Sequence, residues 1–336
     1  MPTLADVAKV AGVGVMSVSR VVNGTRRVSP EIERRVRAAI ERIGYAPNEA
    51  ARILKGHRAR IIGLIVPDLA DRFFSVYANA VQEKALEGGY LTLMVASGHR
   101  IEVERRETEI MVQRQVAGLL VTPCGSQNDH FVTARKAGIP IVSFDRPLDH
   151  VEADAIIVDN RAAASRVTEH LIVHKHRNIL CIADDEKIFT KTERVAGYSE
   201  VMRRAGLPVR VCLVGPMSGS VSHQLGLALD SRPAPTAIFA TSNVIALEVL
   251  RELQKRSIRI PEKIALIAFD DFDAATLVRP TITVIRQPVV DLGRKAASLL
   301  LDRMSSRGRP ESSQVVLPTE LIIRESCGCR RPRKTQ

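Results

Sequence analysis

The first 24 residues carry a helix-turn-helix pattern, which constrains the fold of this chain more than any other feature. The segment Thr3–Asp6 has the Ser/Thr-x-x-Asp/Glu spacing of a helix N-terminus, and apolar residues then recur at helical intervals. Gly12 interrupts the pattern, and a second amphipathic run covers residues 15–23. Together, a small residue at Ala8, the turn glycine and the β-branched Val18 allow two helices to pack closely. The second helix can then enter a DNA major groove.

A third helix is predicted to follow Ser29-Pro30-Glu31, where serine caps the helix and proline takes its first position. Gly44 ends it. Asn48 is then placed to cap a short fourth helix over residues 49–54. Because ~6 residues are below the length at which isolated helices persist, this element needs a partner.

Positive charge is concentrated at the same end of the chain. The 336 residues carry a net charge of +12, and the first 60 contribute +7 of it, from 12 Lys and Arg against 5 Asp and Glu. A basic excess that coincides with a helix-turn-helix is typical of contact with DNA phosphates.

From Ile61 onward, short apolar runs alternate with amphipathic helices, which predicts parallel sheets covered by helices on both faces. The length of this region is enough for two such lobes. The predicted strands are 61–66, 91–95, 118–121, 139–144, 156–158, 178–183, 237–240 and 264–269.

Polar and aromatic residues stand just beyond these strands, where ligands bind in such folds. Carboxylates and guanidiniums beside aromatic rings suit a polyol. The candidates are Asp68, Phe73, Phe74, Asp145, Arg146, Arg194, Ser242, Asn243, Asp270 and Gln287.

Three motifs resemble the lactose-repressor/galactose-repressor (LacI/GalR) family of transcriptional regulators, and the likeness continues to about residue 326. They are Leu4-Ala5-Asp6-Val7-Ala8 with Ala11-Gly12-Val13, Val18-Ser19-Arg20-Val21-Val22-Asn23-Gly24, and Gly44-Tyr45-x-Pro47-Asn48-x-Ala50-Ala51. The resemblance implies an all-α headpiece at 1–46, a hinge helix and linker at 47–60, and a periplasmic-binding-protein-like α/β domain at 61–326. That domain has an N-lobe at about 61–160 and 290–320 and a C-lobe at about 161–289. A disordered basic tail is expected at 327–336.

The resemblance also implies which residues meet DNA. Val15, Met16 and Arg20 take base-reading positions, and Leu54 matches a leucine that wedges into the minor groove. Val15 and Met16 can pack on thymine methyls, whereas Arg20 can bind guanine or a phosphate; the alternative is that both apolar residues are core. The full predicted set is Thr3, Val15, Met16, Ser17, Ser19, Arg20, Asn23, Asn48, Ala51 and Leu54.

By the same resemblance, the strand-end residues bind a small effector, a sugar or a sugar acid. Two departures from the family pattern are Ser242-Asn243, where many members have Asn-Asp, and Arg72 in place of a proline. With Arg146 and Arg194, Arg72 would leave room for a carboxylate, which favours a sugar acid slightly.

Other classes of protein fit less well. No apolar stretch approaches the ~18 residues of a membrane span, no signal peptide is visible, and five scattered cysteines indicate reduced thiols, so we expect a cytoplasmic protein. His170, His174 and His176 are spaced for a metal, but no further ligand is spaced to join them. Cys327 and Cys329 could pair or bind a metal, although two cysteines in a basic tail make a poor site. No metal or cofactor is therefore expected.

Three functions remain to be compared. A ligand-responsive repressor explains the headpiece, the hinge and the cleft together, whereas a sugar-binding protein explains only the cleft. A sugar-modifying enzyme lacks any nucleophile and base in a recognisable arrangement. We expect a homodimer, because the tail has no leucine heptads of the kind that build tetramers. Such a dimer would bind a near-palindromic operator in double-stranded DNA.

Overall fold

A computed structural model of the chain describes residues 2–23, 28–45, 58–184, 188–215, 220–306 and 311–329. The chain forms two compact units, Met1–Ala59 and Arg60–Gln336. Most of the predicted hinge segment, including Asn48, Ala51 and Leu54, lies outside the described residues.

The first unit contains the three predicted helices: α1 (Leu4–Ala11), α2 (Val15–Asn23) and α3 (Pro30–Ile43). The Thr3 hydroxyl and the Asp6 carboxylate form the reciprocal capping box predicted for α1, and Ser29 caps α3. The helices share one small core, formed by Val7, Ala8, Ala11, Val18, Val36 and Ala39.

Arg35 secures the turn between α1 and α2, a role that the sequence does not reveal. Its Nε donates to the Ala11 carbonyl and its Nη2 to the Gly12 carbonyl, both at 3.0 Å. Gly12 has a φ of 61°, and a Cβ there would lie 2.5 Å from Arg35 Nη2. The turn therefore needs glycine both for its backbone angle and for the approach of this guanidinium.

The second unit has two lobes, each built on a six-stranded sheet. The first sheet has the order β11-β5-β4-β3-β1-β2 and is parallel throughout; the second has the order β12-β10-β9-β8-β6-β7, with only β12 antiparallel. The strands are β1 (Ile61–Val66), β2 (Leu91–Ala96), β3 (Gly118–Val121), β4 (Ile141–Phe144), β5 (Asp154–Val158), β6 (Ile179–Ala183), β7 (Arg210–Leu213), β8 (Ala237–Ala240), β9 (Ala265–Phe269), β10 (Thr283–Arg286), β11 (Gln314–Leu317) and β12 (Glu320–Ile322).

Helices cover both faces of each sheet, so that the central strands are buried on both sides, as the alternating pattern predicts. In the described parts of the chain, no helix combines the length and the apolar character of a membrane span. The helices are α4 (Arg72–Glu87), α5 (Ile101–Gln113), α6 (His130–Lys136), α7 (Asn160–Val173), α8 (Phe189–Arg204), α9 (Ser220–Asp230), α10 (Asn243–Lys255), α11 (Ala274–Leu277) and α12 (Val289–Ser305).

The chain crosses between the lobes more than once near its end. Helix α12 packs on α4, and β11 joins the first sheet, but β12 pairs with β10 in the second. The chain therefore returns to the C-lobe at β12. Cys327 is 1% exposed in the core of that lobe, so the prediction that the tail starts at residue 327 is wrong for residues 327–329. Residues 330–336 lie outside the described residues.

Candidate functional site

The N-terminal end of α2 presents two apolar side chains to solvent. Val15 is 46% exposed and Met16 is 68% exposed, whereas Val18 is fully buried. The inward face of α2 is filled by Val18, with Val21 and Val22 packed partly against the core. Val15 and Met16 are therefore free to meet a groove, and the alternative that they are core residues is wrong.

The other predicted DNA contacts differ in how available they are. Ser17, Ser19 and Arg20 are half-buried on α2, whereas the exposed Thr3 already uses its hydroxyl in the α1 cap. The side chain of Asn23 lies outside the described residues.

The second candidate site is a cavity of about 610 Å³ between the two lobes, at the ends of their strands. It brings together all ten residues that the sequence predicts for effector binding. These ten are Asp68, Phe73, Phe74, Asp145, Arg146, Arg194, Ser242, Asn243, Asp270 and Gln287.

Two aspartates occupy matching positions in the two lobes. Asp145 directly follows β4 and Asp270 directly follows β9, and these strands hold the same place in their respective sheets. Both residues have left-handed backbones, with φ of 65° and 72°. Such angles are uncommon outside glycine, are better tolerated by aspartate, and cluster at binding sites. The two lobes thus place these two carboxylates at matching positions on the cavity wall.

Arg146 is held in place by the loop that follows β3. Its Nη1 donates to the Pro123 carbonyl at 2.8 Å, and its Nε donates to Asp145 Oδ2 at 3.2 Å. The loop is secured by the buried Glu104, whose carboxylate accepts from the Cys124 amide at 2.7 Å and lies 3.0 Å from His130 Nε2. Glu104 therefore positions Arg146 without lining the cavity.

Arg194 forms part of the cavity wall contributed by α8. Its Nε donates to Asn160 Oδ1 and its Nη1 to the Thr241 carbonyl, both at 2.8 Å. A third partner, Asp270 Oδ2, lies 3.9 Å from Nη1. Burial lowers the pKa of Arg194, although the neighbouring Asp270 opposes this shift. Gln287 completes the group, because its Nε2 donates to Asp270 Oδ1 at 2.5 Å.

Sequence reasoning missed two basic residues of the cavity, His99 and Lys191. Lys191 is buried, and its Nζ lies 2.8 Å from Asp184 Oδ1, which directly follows β6. Burial lowers the pKa of both Lys191 and His99, and for His99 the Arg146 charge adds to the effect. Lys191 lies one turn before Arg194 on α8, so the two side chains share a helix face. This spacing is the sequence signal that could have identified Lys191 as a cavity residue.

Two polar contacts join the lobes across the cavity. Asp71 accepts from the Phe73 amide at 2.9 Å, which caps α4, and also from Asn243 Nδ2 at 3.3 Å. Arg72 Nη1 lies 2.8 Å from Asp273 Oδ2 in an exposed ion pair. Burial raises the pKa of the Asp71 carboxyl. These contacts lie where motion of one lobe against the other would break or form them.

The cavity lining carries more acid than base. In the part of the chain that the structure describes, six aspartates line it, against four arginines and lysines. Arg146, Arg194 and Lys191 are already bonded to protein oxygens, whereas Gln287 Oε1 is buried without a hydrogen-bond partner among the described residues. The rings of Phe73 and Phe272 supply apolar faces. This arrangement suits a ligand rich in hydroxyl groups.

Ser242 is partly committed to the fold, because its hydroxyl accepts from the Ile245 amide at 3.3 Å and so caps α10. The Phe74 side chain likewise serves mainly to pack the core. It is 5% exposed and packs edge-on against Phe144, with ring centroids 6.4 Å apart. These two residues shape the wall more than they offer free groups to a ligand.

Comparison with known proteins finds relatives for both parts of the chain. Residues 3–48 match the profile described as bacterial regulatory proteins, lacI family, and residues 168–327 match a periplasmic binding protein-like domain. The transcriptional regulator CelR of Thermobifida fusca is 33% identical over 97% of this chain and 98% of its own.

Two solved structures have the same architecture over nearly the whole chain. A complex of the transcriptional regulator CelR with cellobiose is 30% identical, with a TM-score of 0.73 over 97% of this chain and 100% of that one. A Lac repressor dimer bound to operator and an anti-inducer is 24% identical, with a TM-score of 0.83 over 97% of this chain and 99% of that one. The second likeness supports the fold alone.

Proposed function

The chain belongs to the lacI family of bacterial regulatory proteins, and we propose that it is a repressor that binds a near-palindromic operator as a homodimer and responds to a neutral sugar. In this proposal, Val15, Met16 and Arg20 read base edges in the major groove. The apolar pair favours thymine methyls, and Arg20 favours guanine or a phosphate. The short segment 47–60 is the proposed hinge.

The cavity is the single observation that carries the choice of ligand. Among the described residues of the lining, six aspartates stand against four arginines and lysines, so a further carboxylate would enter a site that is already acidic. The cavity arginines Arg146 and Arg194 each already donate two hydrogen bonds to protein oxygens. We therefore favour a neutral sugar over the sugar acid that the arginine count suggests. The solved complex of CelR with cellobiose, a neutral disaccharide, supports this choice.

The proposed mechanism is a coupled equilibrium. A sugar that contacts both Asp145 and Asp270 favours the closed arrangement of the lobes, and the hinge transmits this preference to the headpiece. Because coupling is reciprocal, the operator must change sugar affinity by the same factor by which the sugar changes operator affinity. The cavity has a binding role here, and no catalytic step is assigned to it.

A thermal-shift screen of the purified protein against neutral sugars, sugar acids and sugar phosphates tests this assignment. A ligand at 100 times its dissociation constant stabilises the folded state by ~2.7 kcal/mol, which such a screen detects. We expect neutral sugars to give the hits. Stabilisation by sugar acids alone would overturn the choice of ligand, and stabilisation by none of the three classes would remove the cavity's proposed role.

A further inference from the structure

Two histidines and two cysteines converge on the outer face of the C-lobe, away from the cavity. His170 lies in the last turn of α7, and His174 follows that helix by one residue. Cys329 Sγ is 3.0 Å from His170 Nε2 and 3.0 Å from Cys327 Sγ. The nearest donor atoms of His170, His174 and Cys329 all lie within 4.8 Å of one another.

The surrounding backbone orients these groups. His174 Nδ1 lies 2.8 Å from the His170 carbonyl, to which it can only donate, so Nε2 keeps its lone pair for a ligand. Gly328 has a φ of 75°, which favours glycine. The turn that it makes lets the two flanking cysteines bring their sulfur atoms together. Cys327 is anchored in the core, whereas Cys329 is only half-buried.

Ordinary surface histidines and structural thiols are the competing explanation, and the chain provides examples of both. His176, two residues after His174, turns aside and its Nδ1 lies 3.1 Å from Thr236 Oγ1. Cys212 is a half-buried thiol on β7. The group at the end of α7 differs, because His170 and Cys329 are 159 positions apart in sequence and yet place an imidazole nitrogen and a thiol sulfur in contact.

We propose that His170, His174, Cys327 and Cys329 bind one Zn²⁺ ion. Two imidazole nitrogens and two thiolates form the donor set that tetrahedral structural zinc prefers. Binding replaces each thiol proton with a sulfur–zinc bond and releases that proton to solvent. The ion would tie the C-terminal segment to α7, and this role is independent of the sugar cavity.

Cobalt substitution provides a direct test on the full-length protein. The protein is fully reduced, stripped of metal with a chelator, and titrated with Co²⁺. We expect one equivalent to produce the intense visible bands of tetrahedral Co²⁺ and a near-ultraviolet thiolate charge-transfer band, both removed by Zn²⁺. Absence of stoichiometric binding, or an octahedral spectrum without thiolate transitions, would overturn the proposal.

Matched variants identify the ligands. Cys329→Ser and His174→Gln change half-buried or exposed side chains, so both are expected to fold. Each should weaken Zn²⁺ binding by more than the ~10–100-fold that loss of a supporting partner costs. Cys212→Ser and His176→Gln are the controls and should bind as the parent does. Zinc affinity that is unchanged in both test variants, or lost equally in the controls, would contradict this ligand set.

Discussion

The guanidinium of Arg194 stacks on the ring of Phe269, with Cζ 3.5 Å from the ring centroid. Phe269 is the last residue of β9 and is fully buried, so the cavity arginine rests on the core of the C-lobe. The geometry fixes the plane of the guanidinium, and its hydrogen bonds to Asn160 and Thr241 fix its rotation. Arg194 is thus a preorganised part of the wall.

Arg194→Lys should weaken sugar binding at least ~10-fold and lower the free energy of unfolding by about 1–3 kcal/mol. An ammonium group cannot stack as a plane while donating to both Asn160 and Thr241. Calorimetric titration and denaturant unfolding measure the two effects. Arg72→Lys, at an exposed position of the same cavity, is the control; equal sugar affinity in all three proteins would mean that Arg194 does not contact the ligand.

Asp270→Asn should lower sugar affinity more strongly than Asp273→Asn. Asp270 is held by Gln287 beside Arg194. A hydrogen bond from a ligand hydroxyl to a charged acceptor in such a partly buried site contributes about 1.5–3 kcal/mol to binding. Asp273 pairs with Arg72 in solvent, with side chains 68% and 61% exposed, and such pairs contribute about 0–1 kcal/mol. Titration of both variants with one sugar decides the order, and the reverse order would contradict the proposed contacts.

Met16→Ala and Val15→Ala should alter operator recognition with little effect on folding. Both side chains are largely exposed, so the free energy of unfolding should change by less than ~0.5 kcal/mol. Val18→Ala, in the core one turn away, should lower the free energy of unfolding by about 1–3 kcal/mol. Binding selections on randomised DNA compare base preference, and unchanged preference in both exposed variants would contradict their reading role.

Stability should fall at acid pH partly through Asp154. Burial alone raises the pKa of this carboxyl, but hydrogen bonds from Arg303 and Ser313 outweigh it and lower the pKa below its ordinary 3.8. A lowered pKa means that the contribution to stability is present above pH ~4 and is lost as pH falls through the folded-state value.

Asp154→Asn should therefore show a weaker decline of unfolding free energy below pH 4 than the parent, and lower stability at neutral pH. Asp302→Asn, at an exposed position, serves as the control. Denaturant unfolding across pH 2.5–7 compares the three proteins. A decline in Asp154→Asn as steep as that of the parent would show that this carboxyl is not a source of acid sensitivity.

Local rules predicted much of the fold and the cavity. The caps at Thr3 and Ser29 depend on neighbours three residues away, and strand ends such as Asp145 follow from a buried run of four to six residues. Because ligand cavities of parallel sheets form at those ends, this rule and the family resemblance together selected ten residues that all line one cavity.

What escaped prediction depends on long-range contact. Arg35 reaches back 24 residues to α1, and Cys329 meets His170 across 159 residues. The edge strand β12 has three residues and only one sheet partner, so its hydrophobic pattern is too short to identify. The hydrogen bonds of Arg146 and Arg194 to protein oxygens are equally invisible in a sequence, and they are one reason why we propose a neutral sugar instead of an acid.

We propose that one chain couples a sugar in the cavity to an operator at the headpiece. This coupling is tested most directly by measuring operator affinity with and without a sugar found in the screen, and sugar affinity with and without the selected operator. We expect a change in both, by the same factor, as linkage requires. A sugar that binds tightly, is lost in Arg194→Lys, and leaves operator affinity unchanged would contradict the claim.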